Sequence, residues 1–123
     1  MANIKKLIAL SEWLTYEFDS AYLDPRIILD PPILKLRVRP INVMVLSDIE
    51  PKELKQSSMT FEMAVDAIQE WDLADEGTPI PCDEKNKRFH LPILLNQKIK
   101  DKNTFLWIEL MNYAGDLGHF VRP

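Results

Sequence analysis

The stretch ILKLRVRP, residues 33–40, decides the fold class because its side chains alternate strictly. Three apolar residues are interleaved with three basic ones, in the order Leu34, Lys35, Leu36, Arg37, Val38 and Arg39. This two-residue period is typical of a half-buried strand whose basic side faces water. A single strand needs a partner, and residues 26–29 and 41–46 are both within reach. The sequence therefore predicts a small two-stranded element near residues 26–46.

On either side of this element, the apolar spacing favours helices. Residues 3–18 carry apolar side chains at three- and four-residue steps, which predicts an amphipathic helix ending before Pro25. Ser47 and Glu50 have the spacing of a capping box, so we expect a short helix from there through Gln56.

Three further helices are predicted in the second half of the chain. Apolar residues fall on one helical face at Phe61, Ala64, Val65, Ile68 and Trp71. Pro92 suits the first position of a helix that continues through Ile99. The last helix, over residues 103–113, is apolar nearly all round.

Together these elements predict an α+β fold that is mainly helical and forms a single domain over residues 1–123. Within this domain we expect an N-terminal helix over residues 1–24 and a strand region over 25–46. A helical region over 47–114 and a C-terminal tail over 115–123 complete the expected order.

Charge and cysteine content limit the classes of function. The net charge of −4 argues against a nucleic-acid binder, because such proteins usually present a basic stripe. Cys82 is the only cysteine, so no internal disulfide is available, and we expect an inert thiol in a reducing cytosol.

The N-terminal apolar run is too short to span a bilayer and has no small-residue cleavage site. We therefore predict neither export nor membrane anchoring.

The run QEWDLADEGTPIP, residues 69–81, combines four carboxylates, one glycine and two prolines. We interpret it as a connection between two helices, in which Trp71 closes an apolar helix face and the residues from Asp72 to Gly77 make the turn. Pro79 and Pro81 then stiffen the exit.

The alternative interpretation of this run is a site for calcium or magnesium, which prefer oxygen ligands. The candidate ligands are Glu70, Asp72, Asp75 and Glu76, and the last three would serve a small metal-dependent enzyme. Their spacing does not match the alternating pattern of a calcium loop, which favours the structural interpretation.

The chain has none of the common catalytic or nucleotide-binding motifs. GxSxG, GxxxxGK[ST], GxGxxG and HExxH are all absent from the sequence. His90 lies between two apolar residues, which favours a packing role, and His119 falls in the predicted tail. We therefore predict no enzymatic activity and no cofactor.

The last predicted helix lacks a polar face. Such a helix must be buried on most sides, either within its own chain, in a homo-oligomer or against a different partner. If it docks on a partner, the candidate contact residues are Phe105, Trp107, Met111 and Tyr113. Helix-in-groove packing, with an amphipathic partner helix on apolar side chains, is the expected mode.

The order of elements across residues 33–100 resembles the tail assembly chaperones of long-tailed bacteriophages. The similarity rests on a strand ending in Arg39-Pro40-Ile41, a helix ending in Ile68-Gln69-Glu70-Trp71-Asp72-Leu73, the turn Asp75-Glu76-Gly77 with Pro79, and a helix start at Leu91-Pro92. Chains of that family often show an apolar helix, a Trp-Asp or similar pair, an Asp/Glu-Gly turn and a proline before the next helix. The first and last predicted helices lie outside the similarity.

The resemblance implies a non-enzymatic protein in the cytoplasm of an infected bacterium. Such chaperones bind the long, aggregation-prone tape measure protein, help to recruit tail tube subunits and are usually absent from the mature virion. The alternative in the same setting is a structural tail or head–tail joining component that stays in the particle. Neither function involves nucleic acid or a membrane, and both are compatible with a homo-oligomer.

Overall fold

The computed structural model describes residues 1–2, 7–53 and 55–122, which form an α+β fold. Its strands are β1 (Leu7–Ile8), β2 (Leu14–Glu17), β3 (Ile33–Val38), β4 (Ile68–Trp71), β5 (Ala74–Asp75), β6 (Thr78–Pro79) and β7 (Val121–Arg122). Its helices are α1 (Gln56–Ala67), α2 (Glu84–Leu94) and α3 (Leu106–Ala114). Short 3-10 turns occur at Ser20–Tyr22, Val43–Asp48, Pro51–Glu53 and Leu117–His119.

The strand predicted from the alternation over residues 34–39 is confirmed as β3. In β3 the side chains of Leu34, Leu36 and Val38 are at most 1% exposed, whereas Lys35 points into water. The buried face of β3 joins apolar side chains of all three helices in one cluster. The two-residue alternation therefore places the core on one side of the sheet, as expected for an antiparallel sheet with one wet face.

The partners predicted for this strand are wrong. The three-stranded sheet has the order β2-β3-β4, with both pairs antiparallel. Strand β2 lies in the segment predicted as an N-terminal helix, of which residues 3–6 fall outside the described part. Leu14 and Phe18, which supported that helix, are four residues apart, and this spacing places two side chains on the same side of either a helix or a strand.

Strand β4 was predicted as the end of a helix for a related reason. Its register against β3 shifts, so that Trp71 pairs with Leu36 and Ile68 pairs with Val38. Gln69 is thus an extra residue, and both Ile68 and Trp71 are buried although they are three positions apart. A bulge of this kind gives a strand the apolar spacing of a helix.

Three helix boundaries also differ from the prediction. The segment expected to form a short helix from residue 47 through Gln56 contains 3-10 turns, and Gln56 is instead the first residue of α1. Helix α2 begins eight residues before Pro92, because the carboxylate of Asp83 accepts a hydrogen bond from Asn86 N and caps it. Pro92 lies in the last turn rather than the first, and the helix ends before Ile99.

The last nine residues were predicted as a tail, but the described ones are integrated into the fold. Phe120 is fully buried in the core, and β7 pairs antiparallel with β1. These residues follow α3, which spans Leu106–Ala114. The position of the final predicted helix, over residues 103–113, is therefore confirmed. In the described part of the chain, every helix is too short or too polar to cross a membrane.

Tyr16 gives the fold a testable pH dependence. Its side chain packs partly buried against the core, and this burial, aided by Glu109 and Tyr113, raises its pKa to about 12 from an ordinary value of 10.0. The unfolded chain ionises Tyr16 more easily, so its contribution to stability is complete below about pH 10 and is lost as the pH approaches about 12. Urea unfolding across this range should show a steeper loss of stability for the native chain than for Tyr16→Phe. Equal slopes would contradict the assignment.

Candidate docking groove

An open groove lies where the first turns of α1 and α3 meet the end of α2. Its volume is about 530 Å³, within the range of ligand sites in proteins. The apolar lining residues are Phe61, Pro92, Leu95 and Trp107. The polar lining residues carry hydroxyl or amide groups and are Gln56, Ser57, Ser58, Thr60 and Asn96. We call this set of residues the helix groove.

The turn after α2 fixes the floor of the helix groove. Leu95 is only 5% exposed, and its carbonyl accepts a hydrogen bond of 3.0 Å from the backbone N–H of Trp107. The carbonyl of Gln97 accepts a second bond of 3.0 Å from Leu106 N. These bonds satisfy N–H groups at the start of α3, which has no side-chain cap, and they hold Trp107 beside Leu95.

Gln97 is the polar residue that stabilises this turn. Its side chain is 2% exposed; Nε2 donates to the carbonyl of Ile93 at 2.9 Å, and Oε1 accepts from Asp24 N at 3.1 Å. The sequence analysis missed this role. The available signal was a two-residue alternation over residues 95–100, in which Leu95, Gln97 and Ile99 are buried and residues 96, 98 and 100 are more exposed. The polar residue at its centre disguised the pattern.

An ion pair next to Phe61 joins two of the helices that line the helix groove. Both carboxylate oxygens of Glu62 accept hydrogen bonds of 2.8 Å from Arg88, which ties α1 to α2. The bond from Arg88 lowers the pKa of Glu62. The guanidinium carbon of Arg88 also lies 5.8 Å from the centre of the Phe61 ring. Glu84 accepts a further bond from Arg88, so the cation is paired twice.

The four predicted contact residues do not form one surface. Trp107 and Met111 are about 40° apart around the helix axis, whereas Trp107 and Tyr113 are about 120° apart. Tyr113 stacks on His119 with a centroid distance of 4.0 Å and packs edge-on against Phe120. Phe105 precedes α3 and is 42% exposed, and the other three are half-buried. Of the four, only Trp107 lines the helix groove.

The predicted turn motif connects a strand to a hairpin, not two helices. Trp71 ends β4, and its indole N–H donates to the carbonyl of Ile80 at 2.7 Å. Asp72 accepts a hydrogen bond of 2.8 Å from Lys35 N. Gly77 has a φ of 83°, which confirms its predicted turn role, and Pro79 lies in β6, paired with Ala74.

The carboxylates proposed as an alternative metal site have separate surroundings. Glu70 pairs with Arg37 at 3.3 Å, Asp72 bonds the backbone of β3, and Asp75 and Glu76 are exposed in the hairpin. Within the described residues, no group of three or more His, Cys, Asp or Glu side chains is arranged to hold a metal ion.

The remaining chemically reactive side chains have local packing contacts. Burial raises the pKa of the Cys82 thiol, which disfavours the reactive thiolate. His90 lies edge-on to Trp71 and Phe89, consistent with its predicted packing role. His119 was predicted to belong to a tail, but its Nδ1 lies 3.0 Å from the carbonyl of Tyr113 at the end of α3.

The helix groove therefore offers an apolar floor with hydrogen-bonding groups at its rim, a lining suited to binding rather than to acid–base or nucleophilic chemistry. Its lining residues come from the start of α1, from the end of α2 with the turn that follows it, and from the start of α3. Comparison of the chain with protein-family models, with curated proteins and with solved structures found no match.

Proposed function

We propose that this protein is a tail assembly chaperone of a long-tailed bacteriophage that binds the tape measure protein in the cytoplasm of the infected host. The observation that carries the proposal is the open helix groove, whose apolar residues Phe61, Leu95 and Trp107 accept apolar side chains of a partner. The resemblance of residues 33–100 to that family names the partner. Tail tube protein is a second partner that the resemblance implies.

The net charge of the chain is consistent with such a role. A net charge of −4 favours the solubility of a protein that presents an apolar groove. Trp107 belongs both to the contact residues predicted from the sequence and to the lining of the helix groove. Tryptophan is enriched among the residues that dominate binding energy at interfaces.

Co-expression with the tape measure protein of the same phage tests the proposal. We expect the native chain to increase the soluble fraction of the tape measure protein and to co-purify with it. Trp107→Ser should abolish both effects. Trp13→Ser is the matched control, because Trp13 is exposed beside Arg37 on the sheet and does not line the groove. Far-UV circular dichroism of each variant checks that it is folded.

Absence of co-purification by the native chain would contradict the proposal. Mass spectrometry of purified virions separates it from the alternative function. A chaperone is expected to be missing from the particle, whereas a stoichiometric component would support a structural tail or head–tail joining protein.

A further inference from the structure

We draw no further inference here: the strongest candidate, the first turn of α1 at the edge of the helix groove, which has no side-chain cap, belongs to the site already described, and nothing in the described part of the structure shows what covers the groove or binds that turn.

Discussion

Leu36→Ala is expected to lower the free energy of unfolding by about 2–5 kcal/mol. Leu36 lies in the middle strand of the sheet, has no exposed surface and belongs to the cluster that joins the sheet to the three helices. Its truncation removes apolar contacts and leaves a cavity that neighbours on both adjacent strands can fill only by moving. Urea unfolding followed by circular dichroism measures the change.

The adjacent residue supplies the control for this experiment. Lys35 occupies the same strand but faces water, so Lys35→Ala should change the free energy of unfolding by no more than about 0.5 kcal/mol. Comparable losses at the two positions would mean that the strand does not have one buried face and one wet face. A shift of register by one residue would reverse the two results, because it exchanges the faces.

The second large effect is expected at Trp71. Trp71→Ala should cost about 3–5 kcal/mol, because the side chain is 8% exposed and packs in the core. Its indole N–H also joins the end of β4 to Ile80, which follows the β5–β6 hairpin. The substitution should therefore loosen the hairpin as well as the sheet. Thermal unfolding, with hydrogen exchange of the hairpin amides, measures both consequences.

Trp71→Phe separates packing from hydrogen bonding. Phenylalanine retains most of the apolar contact but leaves the carbonyl of Ile80 without this donor, so a smaller cost of about 1–3 kcal/mol is expected. If Trp71→Phe is as destabilising as Trp71→Ala, the hydrogen bond dominates and the packing argument is wrong. If Trp71→Phe has no effect, the bond contributes nothing to stability.

The elements that the sequence predicted correctly were those whose apolar pattern has a single interpretation. Strand β3 has a strict two-residue alternation, and α3 has consecutive apolar residues on nearly all sides. The apolar face predicted for α1 was correct at Phe61, Ala64 and Val65 but was extended too far, into β4. Strand β2 was missed because the apolar residues Leu14, which begins it, and Phe18, which follows it, are spaced by four, and both structures allow this spacing. Strand β4 was missed because a bulge, which depends on pairing with a distant strand, changed its period.

The helix groove could be predicted only in part. Trp107 was predicted as a contact residue from the apolar character of the last helix, whereas Phe61 was placed on an apolar helix face without a binding role. Pro92 and Leu95 were assigned to a helix that does not begin there, so the turn that joins them to Trp107 was not foreseen. That turn depends on Gln97 and on its bond to Asp24 from a remote part of the chain, and such bonds leave no local pattern in a sequence.

The pairing of β1 with β7 also constrains the order in which the chain folds. It joins residues 7–8 to residues 121–122, and each strand contributes only two residues. Closing so long a loop loses much chain entropy and gains few hydrogen bonds, whereas the sheet around β3 and the hairpin close shorter loops first. We therefore expect the pairing of these two end segments to be the last strand pairing to form.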